Sequence, residues 1–366
     1  MTIKVSMLRN KKMKGLILSG GRGTRLRPIT HTSAKQLVPV SNKPILFYGI
    51  EALRDAGIVD IGIVVGDTKE EIKAAVGDGS IWGVKITYIE QKEPLGLAHA
   101  VLTSEAYLKD DNFIMYLGDN LLKDGVSEFV RQFENEKPTA QLLLVRVPNP
   151  QQFGVAELKD NRVVQLVEKP LQPKSDLALA GIYLFTSEIF KAARAIDFSK
   201  RGELEITDAI QWLIDQQKDV RFHLVKGWWK DTGKLEDLLE ANRMICDDFE
   251  LKILGTVDEQ SRVEFKVVIE PGAVIKNSII RGPSIIGKNT TIVDSYIGPF
   301  TSINQDCEII RSEIEHSIVL EGSKISDIDQ RISDSLIGKN VEIVGNQRRL
   351  KYHQFVVGEN SRIELT

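Results

Sequence analysis

The sequence has few cysteines, no excess of charge of either sign and no long apolar run. Its two cysteines, Cys246 and Cys307, are too few for a disulfide framework or a thiolate zinc site, which fits a reducing, cytoplasmic location. Lys and Arg number 48 against 51 Asp and Glu, so no basic excess attracts the chain to nucleic acid. No apolar run approaches the roughly 20 residues that span a bilayer, so we expect no membrane partner.

The rest of the composition is that of a folded, globular protein. Apolar residues make up 42% and charged residues 27% of the 366 positions. That length exceeds what a single hydrophobic core usually serves, so two domains are expected. Residues 1–14 carry five Lys or Arg, but no apolar stretch long enough for a secretory signal follows them. We interpret the first dozen residues as a loose extension.

From residue 13 to about residue 248, short β-rich runs alternate with patterns of helical period. Predicted strands lie at residues 15–18, 61–65, 85–90, 113–117, 141–145, 163–168, 179–185 and 221–225. Predicted helices lie at residues 45–56, 69–76, 97–108, 126–133, 188–195, 205–216 and 234–248. This alternation is typical of βαβ units, so we predict an α/β fold with a mostly parallel, doubly wound sheet covered on both faces.

From residue 251 onward the helical period disappears and a 17-residue repeat takes its place. Its three apolar series are Ile269, Ile286, Ile303, Leu320 and Ile337; Ile275, Ile292, Ile309 and Ile343, with Ser326 in the fourth place beside Ile325; and Ile280, Ile297 and Ile314, with Arg331 beside Ile332. Glycine follows Ile286, Ile297 and Ile337, where we expect the backbone to turn. Such short repeats predict a parallel β-helix whose coils bury their apolar edges against their neighbours. An ordinary β-sandwich with chance spacing is the alternative.

The most informative stretch is the glycine-rich turn after the first predicted strand. Residues 16–30 read Leu-Ile-Leu-Ser-Gly-Gly-Arg-Gly-Thr-Arg-Leu-Arg-Pro-Ile-Thr. Glycine lets backbone N–H groups approach an anion, and Arg22, Arg25 and Arg27 add positive charge. The turn lacks the Gly-Lys-Ser/Thr end of a P-loop, and Leu26 stands where a dinucleotide fingerprint has its third glycine. Taken alone, the turn is also compatible with a structural loop.

Further motifs follow this turn in order. They are Lys35-Gln-Leu-Val-Pro-Val40, Asn42-Lys-Pro-Ile45, Gln91 with Pro94-Leu-Gly-Leu-Ala98, Leu117-Gly-Asp-Asn120, Phe153-Gly-Val155, Glu168-Lys-Pro170, Ala180-Gly-Ile-Tyr183, Arg201-Gly-Glu-Leu-Glu-Ile-Thr-Asp208 and Trp229-Lys-Asp-Thr-Gly233. As a set they resemble the sugar-1-phosphate nucleotidyltransferase family, in particular its thymidylyltransferase branch in the long form with a C-terminal hexapeptide-repeat domain. The resemblance covers nearly everything from Met13 onward. It implies a Rossmann-like catalytic domain with a mixed sheet over residues 13–248 and a left-handed parallel β-helix over residues 251–366.

The resemblance implies attack by a sugar-1-phosphate oxygen on the α-phosphorus of a nucleoside triphosphate, with release of pyrophosphate. Two anions must meet, so the site needs fixed cations and a divalent metal. By resemblance Arg25 and Lys35 contact the phosphates, Lys169 holds the sugar phosphate, and Asp119 and Asp231 bind Mg²⁺, which accepts one or two protein carboxylates. The plain structural alternatives are surface salt bridges for the cations and a turn or helix cap for Asp119.

The other candidate residues divide between the two substrates. The resemblance implies nucleotide contacts from Leu18, Gly20, Gly21, Gly23, Thr24, Arg25, Gln36, Gln91 and Gly96. It implies sugar-phosphate contacts from Gly154, Glu168, Lys169, Gly181, Glu203 and Trp229. A core position is the alternative for Trp229. Phe153 stands where tyrosine is frequent in the family and Ser19 where alanine is common, and neither change removes a charge.

The resemblance implies that Gln91 and Gly96 read the edge of the pyrimidine base. A glutamine amide both donates and accepts, as the adjacent carbonyl and N–H of thymine require. Uracil presents the same edge and lacks one methyl group, which is worth roughly 1–3 kcal/mol of discrimination. The resemblance implies dTTP and glucose-1-phosphate as substrates, with UTP as the weaker nucleotide and glucosamine-1-phosphate as an alternative sugar.

Two functions of other kinds stay open. Hexapeptide β-helices also occur in acyltransferases, which generally need a catalytic histidine. His316 lies within the coils and His353 in the closing segment, and a solvated turn residue is the plainer interpretation of His316. A non-catalytic nucleotide-sugar scaffold is expected to lose the charged residues that this sequence keeps. By analogy with the family, we expect the β-helix to serve assembly or regulation in a homo-oligomer.

Overall fold

A computed structural model describes residues 13–21, 23–31, 33–345 and 363. The strands up to residue 231 are β1 (Met13–Leu18), β2 (Pro39–Val40), β3 (Lys43–Pro44), β4 (Asp60–Val65), β5 (Lys85–Glu90), β6 (Asn112–Leu117), β7 (Asn120–Leu122), β8 (Ala140–Arg146), β9 (Gly154–Lys159), β10 (Arg162–Glu168), β11 (Leu177–Phe185), β12 (Val220–Leu224) and β13 (Trp229–Asp231). The helices are α1 (Ile45–Asp55), α2 (Lys69–Val76), α3 (Leu97–Thr103), α4 (Glu105–Leu108), α5 (Ser127–Glu136), α6 (Glu188–Ala195), α7 (Ile206–Asp215) and α8 (Leu235–Cys246). Short 3₁₀ helices lie at Thr24–Leu26, Ile29–His31, Lys35–Leu37, Ser80–Trp82 and Pro150–Gln152.

The chain folds into two compact units that are not contiguous in sequence. The first unit consists of the described residues up to Gly21 together with Leu46–Asp231. The second consists of Gly23–Ile45 together with the described residues from Thr232 onward. The segment 23–45 and helix α8 therefore group with the C-terminal repeats, whereas the sequence predicts a boundary between residues 248 and 251. That boundary stays a prediction.

The first unit contains a mixed, nine-stranded sheet. Its strand order is β10-β9-β11-β6-β1-β4-β5, and β8 pairs with both β11 and β12. Strands β6, β1, β4 and β5 are parallel, whereas β11 runs antiparallel to β6. The predicted α/β fold with a doubly wound, mixed sheet is confirmed.

Two details of the first unit differ from the sequence expectation. The helix predicted over residues 97–108 is two helices, because the chain breaks at Ser104, whose hydroxyl donates to the carbonyl of Ala100 at 2.8 Å. Strands β7, β9 and β13 were not predicted. They are short or carry glycine and charged residues, so they show no clear alternation.

The repeats of the second unit form a parallel β-helix. Its strands are β14 (Lys252–Ile253), β15 (Thr256–Val257), β16 (Arg262–Glu264), β17 (Val267–Ile269), β18 (Val274–Lys276), β19 (Ile279–Arg281), β20 (Ser284–Ile286), β21 (Thr291–Val293), β22 (Tyr296–Ile297), β23 (Thr301–Ile303), β24 (Glu308–Ile310), β25 (Glu313–Ile314), β26 (Ile318–Val319), β27 (Lys324–Ser326), β28 (Leu336–Ile337) and β29 (Glu342–Val344). They stack as three parallel sheets of six, six and four strands. This confirms the predicted left-handed parallel β-helix and removes the sandwich alternative. Residues 346–362 and 364–366 of the predicted domain lie outside the described residues.

The register of the β-helix corrects one member of a predicted series. Val319, and not Leu320, pairs with Ile303 and Ile337. In the second series Ile325 pairs with Ile309 and Ile343, so the neighbouring residue Ser326 does not take the inward place. The steps from Ile303 to Val319 and from Ile309 to Ile325 are therefore 16 residues long. A strict 17-residue period places the inward residues of this fourth coil one position too late.

The glycines that follow inward isoleucines also need a different explanation. A β-carbon on Gly287 would lie 2.4 Å from the backbone carbon of Asn304 in the next coil, so glycine there permits close stacking. The positive φ angles are instead at other positions, including Asn277, Asp294 and Arg311, which are spaced by 17 residues.

Both units have apolar interiors. In the first, Leu16, Phe113 and Phe185 are fully buried, and the rings of Phe113 and Phe185 lie 5.7 Å apart. In the second, Ile275, Ile292 and Ile309 are fully buried as neighbours in one column. Within the described ranges, no helix is long and apolar enough to cross a membrane.

Candidate active site

The carboxyl ends of β1, β4 and β6 meet at one edge of the first unit's sheet. At this edge the backbone N–H of Gly118 donates to the carbonyl of Leu18 at 2.9 Å. The N–H of Ser19 donates to the carbonyl of Val64 at 2.8 Å. Gly20 and Gly21 follow directly, and Asp119 follows Gly118. The glycine-rich turn therefore begins beside Asp119, where parallel sheets place their ligand crevices.

Gln91 lies at the same edge, directly after β5. A β-carbon on Gly20 would be 3.6 Å from Gln91 Oε1. The Gln91 amide nitrogen donates to the carbonyl of Gly96 at 3.2 Å and to His99 Nδ1 at 2.9 Å. Because an amide nitrogen only donates, Nδ1 of His99 accepts, and its ring hydrogen is on Nε2.

These contacts modify the expectation for base recognition. Both amide hydrogens of Gln91 have protein acceptors, so its oxygen is the atom available to a ligand. Gly96 has φ +105°, and a β-carbon there would lie 2.5 Å from the carbonyl oxygen of Leu204. Glycine is therefore required at this position, at the start of α3.

Asp119 and Asp231 come together through a small two-stranded sheet. Strands β7 and β13 pair antiparallel, with Asp231 directly opposite Asn120. Asp119 directly precedes Asn120, so the backbones of the two aspartates are neighbours at this end of the sheet. Burial raises the pKa of the Tyr116 hydroxyl, and the charge of Asp119 raises it further. Asp119 therefore lies close to the buried end of β6.

The residues in this sheet fit a divalent cation. Two carboxylates and the amide of Asn120 supply oxygen atoms, which are the ligands that Mg²⁺ prefers. The Asn120 side-chain oxygen is buried and has no hydrogen-bond partner among the described residues. Within those residues no group of three or more His, Cys, Asp or Glu could hold a metal. A metal here would thus depend on two carboxylates completed by substrate and water.

A second group of predicted residues surrounds Glu168. Glu168 ends β10 directly opposite Gly154 of β9. Its Oε2 accepts from the hydroxyl of Thr207 at 2.6 Å, and a β-carbon on Gly154 would lie 3.1 Å from that oxygen. Lys169 has φ +43°, an unfavourable conformation for a lysine, and its N–H donates to the carbonyl of Phe153 at 3.0 Å. Glu168 and Lys169 are therefore presented next to the glycine.

Trp229 joins this group from β13. Its indole N–H donates to the carbonyl of Ala180 at 2.8 Å, and its ring meets that of Phe153 edge-on at 5.5 Å. Gly181 has φ +71°, and a β-carbon there would lie 2.5 Å from Asn120 Nδ2. Trp229 is half-buried, so its ring keeps an accessible part.

Glu203 lies near this group but faces Arg201. The guanidinium of Arg201 donates to Glu203 at 2.8 Å and to Glu205 at 3.2 Å, and it lies 3.6 Å from Glu168. Burial raises the pKa of Glu205, against the hydrogen bond from Ser199 and the charge of Arg201. Arg201, which had no predicted role, thus offsets the negative charge of three carboxylates.

The remaining predicted nucleotide residues belong to the second unit. Gly23 has φ +61°, its carbonyl accepts from the hydroxyl of Thr30 at 2.7 Å, and a β-carbon on it would lie 2.8 Å from Lys35 Cβ. Lys35 and Gln36 are buried in a 3₁₀ turn, whereas Thr24 and Arg25 are exposed. Arg22 lies outside the described residues.

Arg25 approaches a second predicted motif within this unit. A β-carbon on Gly233 would lie 3.2 Å from Arg25 Nη2. The final glycine of the Trp229–Gly233 motif therefore makes room for the guanidinium.

Sequence reasoning missed Asn120 and His99 as site residues. Asn120 stands in a motif already noted, and only the pairing of β7 with β13 reveals its position. His99 has no signal other than its place in the first turn of α3. Two further buried oxygens, Ser19 Oγ and Gln36 Oε1, have no hydrogen-bond partner among the described residues. Orphaned polar atoms within the predicted motifs are candidates for ligand contact.

His316 is a corner residue of the β-helix. Its φ is +47°, and its ring packs edge-on against Phe300 with centroids 5.0 Å apart. This fits the interpretation as a turn residue, although the ring is half-buried. His353 lies outside the described residues.

Comparison with other proteins identifies relatives of both parts of the chain. The family model described as nucleotidyl transferase matches residues 14–248. A glucose-1-phosphate thymidylyltransferase of Streptomyces griseus is 54% identical over 355 residues, which are 97% of this chain and 100% of that protein. The bifunctional protein GlmU of Methanocaldococcus jannaschii is 37% identical over 90% of this chain and 78% of its own length. A solved structure described as a glucose-1-phosphate thymidylyltransferase from Bacillus anthracis has a TM-score of 0.62 and 36% identity, over 66% of this chain and 98% of that one.

Proposed function

The chain belongs to the nucleotidyl transferase family, and from that membership we propose that it converts dTTP and glucose-1-phosphate into dTDP-glucose and pyrophosphate. The observation that carries the proposal is the similarity to a thymidylyltransferase over that relative's whole length. The charged residues expected for this reaction are all present: Arg25, Lys35, Asp119, Lys169 and Asp231.

The reaction requires two anions to meet. A phosphate oxygen of the sugar phosphate attacks the α-phosphorus while the bond to the β-phosphate oxygen breaks in line. Positioning and charge neutralisation supply most of the catalysis. We assign triphosphate contact to Arg25 and Lys35, with backbone N–H groups of Gly20, Gly21, Gly23 and Thr24 approaching the anion. Leu18 and Gln36 complete the nucleotide contacts.

We assign the divalent cation, Mg²⁺, to Asp119 and Asp231. When bound, the cation neutralises charge that develops on the phosphate oxygens. The pairing of β7 with β13 supports this assignment, since it joins the ends of the two strands that carry these carboxylates. Asn120 follows Asp119 and lies opposite Asp231, and its orphaned amide oxygen adds one neutral acceptor to the two carboxylates.

We assign the sugar phosphate to the group around Glu168. Lys169 would hold the phosphate, and Glu168 would accept hydrogen bonds from sugar hydroxyls, as it does from Thr207. The backbone at Gly154 and Gly181 would contact the sugar, and Trp229 offers a ring face. Glu203 contributes through its pairing with Arg201. Glucosamine-1-phosphate remains the alternative sugar.

Base choice would depend on the oxygen of Gln91 together with the backbone at Gly96. An oxygen acceptor selects a base with an N–H donor on its pairing edge, as thymine and uracil have. Cytosine presents a lone pair at that position and is expected to be rejected. The thymine methyl separates dTTP from UTP by only about 1–3 kcal/mol, so UTP is the weaker substrate.

Three further expectations stay proposals. They are a homo-oligomer, a cytoplasmic location and the absence of a nucleic-acid partner. An additional acyl transfer by the β-helix is an alternative, because hexapeptide β-helices also occur in acyltransferases. A non-catalytic scaffold is disfavoured, because the full set of charged residues is retained.

The test is an assay of pyrophosphate release over four nucleoside triphosphates and several sugar-1-phosphates, with Mg²⁺. The proposal predicts the fastest release with dTTP and glucose-1-phosphate. If no pair of nucleotide and sugar phosphate released pyrophosphate, the proposed enzymatic activity would be refuted. Faster release with UTP or GTP than with dTTP would refute only the base assignment. Acyl-coenzyme A and an aminosugar phosphate, added to parallel samples, test for acyl transfer.

A further inference from the structure

The segment Gly23–Ile45, which carries Lys35 and Gln36, ends in a tight hairpin. Strands β2 and β3 pair antiparallel, with Val40 opposite Lys43. The two residues between them, Ser41 and Asn42, have φ angles of +50° and +62°. Two-residue hairpin turns of this type favour Asn-Gly, and a left-handed serine costs roughly 1–2 kcal/mol. Contacts outside the hairpin must therefore stabilise this turn.

Those contacts come from a buried polar cluster formed by Ser41, Asn242, Cys246 and Ser302. Asn242, from α8, accepts through Oδ1 from the N–H of Ser41 at 2.9 Å and from the hydroxyl of Ser302 at 2.6 Å. Its Nδ2 donates to the carbonyl of Phe300 at 2.8 Å. Asn242 and Ser302 are fully buried. A single amide therefore connects the hairpin turn, helix α8 and the third coil of the β-helix.

The side chains of this cluster are buried and hydrogen-bonded to one another. The hydroxyl of Ser41 lies 3.3 Å from both Asn242 Oδ1 and Cys246 Sγ. Burial raises the pKa of the Cys246 thiol to about 11, so this thiol is neutral. The neighbouring residue Asn42 donates to the carbonyl of Ile303 at 2.8 Å. Both turn residues are thus held by groups on α8 or the β-helix.

The rest of the segment is tied to the same unit. Lys35 packs on Gly23, and Val38 accepts from the N–H of Ile45 at 3.3 Å, so the segment folds back on itself. A β-carbon on Gly338, in the last coil, would lie 3.3 Å from Ile29 Cδ1. The segment therefore contacts the β-helix at two separated coils.

We propose that Asn242 is a positioning residue that couples the β-helix to the segment holding Lys35 and Gln36, so that the β-helix sets the geometry of nucleotide binding. This inference rests on one part of the proposed function, namely that Lys35 and Gln36 bind the nucleotide. The β-helix then has a role in catalysis within one chain, in addition to any role in assembly.

The test compares Asn242→Leu, which keeps the shape and removes every hydrogen bond, with the wild-type chain. Removing the amide frees the Ser41–Asn42 turn, so the KM for dTTP and its directly measured Kd are expected to rise at least about tenfold. The KM for glucose-1-phosphate should change less than about twofold. A purely structural role would lower the active fraction and kcat while leaving both KM values and the Kd unchanged, and that result would overturn the proposal.

Ser302→Ala keeps the test decisive if Asn242→Leu does not fold. It removes one donor to Asn242 and should raise the Kd for dTTP about two- to fivefold. The matched control is Ser317→Ala, a buried serine of the β-helix that donates to the carbonyl of Glu315 and should leave the Kd unchanged. Equal Kd values for Ser302→Ala and Ser317→Ala would contradict the coupling.

Hydrogen exchange separates this inference from the proposed function. Amides of residues 35–45 should exchange faster in both cluster variants than in wild type, whether or not dTTP is a substrate. If wild type binds no dTTP but this segment still loosens, the proposed function fails while the coupling stands. If dTTP binds and the segment is equally protected in all variants, the coupling alone fails.

Discussion

The first unit and the β-helix use the same unfavourable backbone conformation for different purposes. In the β-helix, residues with positive φ recur at the corners and bond to the next coil, as Asn277 does to Asp294 and Arg311 to Asp327. In the first unit, positive φ angles occur at turns and helix ends such as Lys137 and Asp160, and also at Lys169 and Gly181 beside predicted substrate contacts. Positive φ angles that repeat with the fold serve stacking, whereas in the first unit a positive φ points to a candidate site only where other predicted site residues surround it, as at Lys169 and Gly181.

The largest expected effect is on catalysis in the first unit. Asp119→Asn and Asp231→Asn should each lower kcat at least about a hundredfold, because each removes a charge from the metal site. Steady-state rates with Mg²⁺ titration measure this. The control is Asp160→Asn in the β9–β10 turn, where φ is +50° and asparagine is well tolerated. Near-normal activity in either site variant would contradict the metal assignment.

The next effect tests whether the backbone at Gly181 belongs to the site. Gly181→Ala should lower the free energy of unfolding by roughly 1–2 kcal/mol for the left-handed backbone, with a further 1–3 kcal/mol for overpacking against Asn120 and Leu117. It should also raise the KM for glucose-1-phosphate. Gly125→Ala is the matched control, since φ is +62° there and nothing lies within 4 Å of a β-carbon. Equal unfolding free energies for Gly181→Ala and Gly125→Ala, with unchanged KM values, would show that Gly181 does not differ from a glycine in an ordinary turn.

A smaller effect is expected for base selection. His99→Leu removes the acceptor that orients the Gln91 amide, so the amide can rotate and present its nitrogen to the base. The ratio of kcat/KM for dTTP over dCTP should then fall about tenfold, the equivalent of one oriented hydrogen bond. Thr103→Val, which removes a hydroxyl that donates to the backbone carbonyl of His99 one turn further along the same helix, serves as the control. An unchanged ratio in His99→Leu would show that Gln91 is oriented by other contacts.

The smallest effect concerns pH and lies away from the site. Burial lowers the pKa of His223, with help from Lys226 and against the charge of Glu128. The folded chain therefore binds a proton at His223 less readily than the unfolded chain does. The resulting contribution to stability is fully present above pH 6.5, the ordinary pKa of histidine, and is lost as the pH falls below that value.

His223→Gln should remove that part of the pH dependence. The decrease in Tm between pH 7.5 and pH 5 should be smaller in the variant than in wild type. The neighbouring Gln132, which bonds to His223 at 2.8 Å, offers Gln132→Ala as a control that keeps the titrating group. Identical decreases in wild type and His223→Gln would show that another group titrates.

The two regions also differ in how far their sequences predict them. The β-helix follows from its apolar period, because each coil repeats the same local rule. Within the three predicted series the period slips by one residue in the later coils, where Val319, Ile325 and Ile332 take the paired places. No local pattern signals that slip, since Leu320 is buried as well.

The candidate site was harder to derive from sequence. The motifs named the aspartates, but β7 and β13, which bring Asp231 opposite Asn120, are three residues long and have no readable period. The donor hydrogens of Gln91 are taken by Gly96 and His99, which depends on how α3 meets β5. Residues 23–45 group with the repeats, and one link between them is Asn242, a buried polar residue that no sequence pattern distinguishes from a surface one.

The central claim is that a glucose-1-phosphate oxygen attacks the α-phosphorus of dTTP. The most direct measurement uses glucose-1-phosphate with ¹⁸O in its three non-bridging phosphate oxygens, and mass spectrometry of both products. We predict dTDP-glucose that keeps all three labelled oxygens and pyrophosphate that carries none. Labelled pyrophosphate, or no dTDP-glucose at all, would contradict the claim.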